Sequence, residues 1–114
     1  MVEVDEERFE ALVQEALDGI PAELGRSMDN VVVQVRDRAR DRHLLGLYEG
    51  IPLTERGTYG GLAMPDRITI YRLPICARCD DEREVVEQVR ITVVHEVAHH
   101  FGIDDGRLEE LGWA

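Results

Sequence analysis

The chain lacks the features of an exported or membrane-spanning protein. Its 114 residues contain only two cysteines, and no apolar run approaches the roughly 18 residues of a transmembrane helix. Four of the first seven residues are acidic, whereas a signal peptide begins with basic residues followed by an apolar run. We therefore expect a soluble, cytoplasmic protein without a membrane partner.

Positive charge is also scarce. Lys and Arg together number 13 against 24 Asp and Glu, which gives a formal net charge of −11. Such a charge repels the phosphate backbone of nucleic acids, so we expect no nucleic-acid partner. The length suits a single domain over residues 1–114, with a small hydrophobic core.

The two cysteines form one C-x-x-C pair, Cys76 and Cys79. A structural zinc site needs four ligands, and a thioredoxin-like site needs a βαβ setting, and the sequence shows neither. The pattern favours two reduced thiols, or a short local disulfide, in the connection between a strand and a helix.

Hydrophobic periodicity predicts an α+β chain. Apolar residues at helical spacing predict helices over residues 5–17, 80–101 and 105–111. Runs rich in β-branched residues or alternating in polarity predict strands at 30–36, 44–48 and 67–72, and turn-forming residues predict a loop over 51–61. We expect the first strand to be buried mostly on both faces. The third should be half-buried, with Ile68 and Ile70 toward the core.

The most informative segment is residues 95–105, HEVAHHFGIDD, which fits H-E-x-x-H continued as x-x-G-x-x-D. On a helix, His95 and His99 lie about 40° apart on one face and roughly 6 Å apart along the axis, so both can bind one zinc ion. Glu96 lies about 100° from His95, beside the metal, which suits a carboxylate that takes a proton from water. The sequence therefore predicts a catalytic metal site.

Asp105 is the predicted third ligand, because Gly102 permits a sharp turn that returns its carboxylate to the histidines. Three protein ligands leave a fourth position for water. Two alternatives stay open: Asp104 and Asp105 could both be helix N-caps, or Glu109 or Glu110 could supply the third ligand. Zinc is the expected ion, although iron, cobalt or manganese also suit two imidazoles and a carboxylate.

The long helix is apolar around most of its circumference, so its histidine face is expected to line a cleft. His100 lies about 100° from His99 and should not bind the same ion; a backbone partner is expected for it. The apolar side opposite the histidines is predicted to contain Val86, Val89, Val93, Val97 and Phe101.

The sequence resembles the minimal zincin-like metallopeptidases, small bacterial proteins regarded as possible zinc proteases. The resemblance is carried by residues 47–53 and 62–72, by the metal motif at 93–105, and by 107–113. It implies a zincin-like fold, in which a small mixed sheet packs on an N-terminal helix and a long active-site helix, with a short C-terminal helix. It also implies His95, His99 and Asp105 as zinc ligands and Glu96 as general base.

The resemblance further implies an edge strand that pairs with an extended peptide, and residues 67–72 are the matching candidate. We therefore expect a zinc-dependent metallopeptidase that acts on peptides or proteins. Tyr48, Tyr59 and Tyr71 are the phenols available as oxyanion donors. The alternative is a non-catalytic module that uses the metal or the cleft for structure or partner binding, since no second subdomain walls the cleft.

Overall fold

The structure, a computed structural model, describes residues 1–50 and 65–113 of the chain. The predicted loop over 51–61, including Tyr59, lies outside the described residues. The elements in chain order are α1 (Glu6–Asp18), α2 (Ala22–Arg26), β1 (Val31–Arg36), β2 (Gly46–Glu49), β3 (Asp66–Tyr71), α3 (Arg72–Ala77), α4 (Glu82–His100) and α5 (Asp105–Leu111). The expected mixture of helices with a small sheet is confirmed.

The three described strands form a mixed sheet in the order β1-β3-β2. β1 runs parallel to β3, with Val33 opposite Ile68, and β2 runs antiparallel to β3, with Tyr48 opposite Ile68. β3 is therefore the central strand, and β2 is an edge strand within the described part of the chain. The prediction that 67–72 is a peptide-binding edge strand is wrong, because both sides of β3 are already paired.

This strand order also corrects two burial predictions. β3 is buried on both faces, since Thr69 is only 2% exposed and Tyr71 only 8%, while Ile68 and Ile70 are fully buried. β1, which was expected to be buried, has Val32 48% exposed. Side chains point to the two faces of a sheet, so burial depends on what covers each face: both faces are covered at β3, whereas the face of β1 that carries Val32 is open to solvent.

Helices α1 and α4 pack against each other and form much of the core. Their N-termini are capped by carboxylates: Asp5 accepts a hydrogen bond from the Arg8 backbone and Asp81 from the Glu84 backbone, both at 2.8 Å. Such caps satisfy amide groups that have no partner within the helix. The fully buried side chains of these two helices include Phe9, Val89, Val93 and Val97.

The core side of α4 does not extend as far as the sequence suggested. Phe101 was predicted to face the core, but it is 50% exposed. The helix ends at His100 and Phe101 is its C-cap, so the helical periodicity that would have turned its ring inward stops one residue earlier. The histidine end of α4 is therefore less covered than its middle.

Helix α3 was not anticipated from the sequence. It follows β3 directly and contains Pro74 in its first turn, a position where the missing amide proton is tolerated. Arg72 anchors it, because its Nη1 donates to the Val4 carbonyl at 2.7 Å and its Nη2 to Asp37 Oδ1 at 2.9 Å. None of the described helices combines the length and apolar character needed to cross a membrane.

The backbone of β2 packs closely against the long helix α4 at Gly46. A Cβ added to Gly46 would lie 2.6 Å from Cγ2 of Thr92 and 3.2 Å from the Thr69 carbonyl oxygen. Only glycine lets the strand come this near, so Gly46 brings the edge strand beside the histidine-bearing part of α4.

Candidate metal centre

The two motif histidines lie on the last two turns of α4. Beyond them the chain turns at Gly102, whose φ of +80° lies in the left-handed region. The Ile103 amide then donates to the Ala98 carbonyl at 2.8 Å. Glycine occupies this conformation without the penalty of a Cβ, as expected from the motif.

Asp104 and Asp105 have different roles at the start of α5. Asp104 is the N-cap, because its Oδ1 accepts from the Arg107 amide at 2.9 Å. Asp105 is the first helical residue, and its carboxylate points back to α4 and not to the helix end. Its Oδ1 lies 3.1 Å from His99 Nε2 and 3.3 Å from His95 Nδ1.

These side chains fit a single metal ion. One ligand atom from each of His95, His99 and Asp105 lies within 4.8 Å of the other two. Neighbouring ligands of a tetrahedral zinc ion, at about 2.0 Å from the metal, are separated by about 3.3 Å. The two distances to Asp105 Oδ1 are close to this value, so the donors meet the requirement with small adjustments.

The cluster is open on one side. The side chains of both histidines are 45% exposed and that of Asp105 is 73% exposed. No fourth histidine, cysteine or acidic residue of the described ranges joins the three. Structural zinc sites usually have four protein ligands, whereas catalytic sites keep a position free.

The alternative acidic ligands lie elsewhere on α5. Glu110 pairs with Arg107 at 2.9 Å. Glu109 lines a cleft beside the cluster but does not belong to it. Of the candidates weighed from the sequence, Asp105 is the one that the structure brings to the histidines.

Two clefts meet at His95. The first, here called the β2-side cleft, has a volume of about 320 Å³ and lies between the segment 43–46 and the outer face of α4. The second, the α5-side cleft, has about 360 Å³ and is lined by Leu108, Glu109 and Trp113 of the C-terminal segment. His95 and Ile91 line both clefts, so the His95 side of the metal cluster lies where the two clefts join.

Glu96 lines the β2-side cleft together with His95. Its side chain is half-buried, and no described residue forms a hydrogen bond or ion pair with its carboxylate. A carboxylate that is not engaged with another protein group is available to accept a proton in this cleft.

A cluster that the sequence did not reveal holds His100. The rings of His100 and Tyr48 stack with centroids 4.0 Å apart, and the Tyr48 hydroxyl donates to Asp66 Oδ2 at 2.7 Å. His100 Nε2 lies 3.8 Å from the same oxygen. The predicted backbone partner of His100 is therefore replaced by side chains of β2 and β3, which only the tertiary structure brings together.

The tyrosines described by the structure do not line either cleft. Tyr48 hydrogen-bonds to Asp66, and Tyr71 is buried at the end of β3. The sequence could not have distinguished these positions, because each tyrosine lies in or beside a strand pattern.

The C-x-x-C pair lies apart from the metal cluster. Cys76 and Cys79 are buried free thiols. Burial raises the pKa of both, opposed at Cys76 by the positive charge of Arg72 and reinforced at Cys79 by Glu84. Both groups are thus protonated at neutral pH, which makes them weak nucleophiles and weak metal ligands.

A helix that carries H-E-x-x-H, followed by a glycine turn and a returning carboxylate, is the site of a zincin-type protein. The sequence profile of the zincin-like metallopeptidases matches residues 28–113, which include the whole cluster. The chain therefore belongs to the zincin-like metallopeptidase family.

The chain shares its fold with a solved structure. The chain is similar to a conserved hypothetical protein from Thermus thermophilus, with 20% sequence identity and a TM-score of 0.53. The similarity covers 95% of this chain and 97% of that one. No protein with a curated description matches the chain significantly.

Proposed function

We propose that this protein is a zinc-dependent metallopeptidase, with His95, His99 and Asp105 as zinc ligands and Glu96 as general base. The observation that carries the proposal is the convergence of three ligand atoms within 4.8 Å, next to an unengaged carboxylate in an adjoining cleft. A structural metal site needs no such carboxylate. Family membership agrees with this chemistry.

Zinc, when bound, lowers the pKa of water toward about 7 and polarises a carbonyl group. Two imidazoles and one carboxylate are a ligand set that zinc accepts readily, so we propose zinc as the resident ion. The distances from Asp105 Oδ1 to His95 Nδ1 and His99 Nε2 suit that ion.

Glu96 carries the proton in this proposal. It accepts a proton from the attacking water and delivers it to the nitrogen of the leaving amine, which completes the hydrolysis of the peptide bond. Its position one residue after His95, on the wall of the β2-side cleft, supports this role.

The edge of β2 is the proposed place for the substrate backbone. An extended peptide can add to an edge strand by main-chain hydrogen bonds, and β2 is such a strand among the described elements. The peptide would then lie along the β2-side cleft and cross His95 into the α5-side cleft.

The decisive experiment separates metal binding from catalysis. We expect Glu96→Gln to bind zinc like the wild type, measured by elemental analysis, and to lose hydrolysis of internally quenched peptides by about 10²-fold or more. Asp105→Ala should lose zinc. Glu110→Gln is the matched control, because Glu110 lies outside both clefts and pairs with Arg107.

Equal hydrolysis by Glu96→Gln and the wild type would remove the assignment of the base. Stoichiometric zinc without chelator-sensitive hydrolysis of any peptide would instead favour a non-catalytic module that uses the metal for structure or partner binding.

A further inference from the structure

The two clefts differ in charge away from the metal cluster. The β2-side cleft is lined by Arg78 and by Glu96, the proposed base, whereas the α5-side cleft is lined by Asp105 and Glu109 and by no described arginine. We infer that Arg78 is a specificity-determining residue that selects substrates with a carboxylate on the β2 side of the scissile bond. This inference rests on the proposed metallopeptidase function.

Arg78 is free to bind a substrate. Its side chain is exposed, and no carboxylate of the described residues pairs with it. The two acidic residues that follow it closely are engaged elsewhere. Asp80 lies 3.4 Å from the N-terminal amine, and Asp81 caps α4 by accepting from the Glu84 amide.

Two further arginines lie close to the residue before Arg78. Arg38 and Arg42 are exposed on the segment that leads into β2, and they line a small cavity together with Ala77, the residue before Arg78. Neither has a carboxylate partner in the described part of the chain. Of the nearby acids, Asp37 already binds Arg72 at 2.9 Å.

A cationic side chain in this cleft stands out in a protein with a net charge of −11. The net negative charge of the protein repels an acidic peptide, so Arg78 offers such a peptide a specific attractive contact in the β2-side cleft. A charge without a protein partner in a cleft biases both the orientation and the choice of charged substrates.

The length of the cleft locates the selected position. Gln88 and His95, which both line the β2-side cleft, are seven residues apart on α4, which corresponds to about 10 Å along the axis. An extended peptide advances about 3.3 Å per residue. Arg78 lines the same cleft, so we take this span, about three residues of extended peptide, as the expected separation between the selected carboxylate and the carbonyl held at the metal cluster.

The test uses internally quenched peptides in which Glu, Ala or Lys is placed three residues before or after a central cleavable bond, with cleavage located by mass spectrometry. We expect Glu to be preferred over Lys at one of the two positions, by about fivefold in kcat/KM, the size of an exposed charge pair. Arg78→Glu should invert this preference.

Arg83→Glu is the matched control, since Arg83 is also exposed and without a carboxylate partner among the described residues but lines neither cleft. It should keep the wild-type preference. Hydrolysis with no charge preference, or with a preference that Arg78→Glu leaves unchanged, would overturn the inference and leave the metallopeptidase proposal standing.

If no peptide is hydrolysed, the metallopeptidase proposal fails. Peptide binding then tests whether Arg78 selects a carboxylate. The same peptides, labelled, would be titrated with the wild-type protein and followed by fluorescence anisotropy. Tighter binding of the Glu peptide that is lost in Arg78→Glu supports a carboxylate-selective cleft, whereas equal affinities refute it.

Discussion

The turn at Gly102 should control zinc affinity, and Gly102→Ala tests this. Gly102 and Gly112 both have positive φ, +80° and +75°, and an added Cβ would have no atom within 4 Å at either position. The whole effect of alanine is therefore backbone strain, about 1 to 2 kcal/mol, partly offset by reduced freedom of the unfolded chain. We expect the free energy of unfolding of each variant to fall by about 1 kcal/mol when residue 102 or 112 keeps its positive φ.

Zinc distinguishes the two variants. The side chain of Asp105 is 73% exposed, so the turn before it, and not packing around it, holds its carboxylate near the histidines. In the metal-free Gly102→Ala protein the turn can relax, and zinc must then restore the strained conformation. A strain of about 1 kcal/mol corresponds to about a fivefold rise in the Kd for zinc, while Gly112→Ala should bind zinc like the wild type.

The assay is a competition titration of zinc against a chromophoric chelator, combined with urea unfolding in the presence and absence of zinc. Zinc at about a hundred times its Kd should stabilise the wild type by about 2.7 kcal/mol, and a site with about fivefold weaker affinity should give about 1 kcal/mol less at the same concentration. An unchanged zinc Kd in folded Gly102→Ala, or an equal rise in Gly112→Ala, would refute the reasoning.

Two further predictions concern packing and the thiols. Gly46→Ala should destabilise the protein by about 1 to 3 kcal/mol in urea unfolding, because the new Cβ would lie 2.6 Å from Thr92 Cγ2. Gly106→Ala is the control, since the nearest contact of its new Cβ would be 3.5 Å. Equal stability of the two variants would contradict the packing argument. Cys76 and Cys79 should react with iodoacetamide much more slowly at pH 7 in the folded than in the denatured protein, since burial raises the pKa of both thiols; equal alkylation rates would contradict this.

The candidate site is the part most accessible to prediction from the sequence. Helical geometry alone puts His95 and His99 on one face, because residues four apart lie about one turn from each other. The glycine after this helix predicted the positive φ that Gly102 adopts. The position of Asp105 beyond it was also a local expectation, and the structure separates it from the capping role of Asp104.

The positions of the strands in the sequence were predicted, but the burial of their side chains was not. The β-branched run predicted at 30–36 looked like a buried strand and is an edge among the described strands, while the alternating run predicted at 67–72 looked half-buried and is the central strand. Strand order depends on pairing between residues distant in sequence, and burial follows that order more than it follows composition.

Local sequence is enough to establish which residues share the histidine face of the long helix and where the chain turns after it, because those relations span only about ten residues and follow from backbone geometry. What surrounds that face comes from packing between distant segments: the edge strand seated through Gly46, the contacts of His100 with Tyr48 and Asp66, and the different charges that the two clefts present. No periodicity or spacing within a single segment encodes such contacts, since they depend on how helices and sheet pack around a shared core.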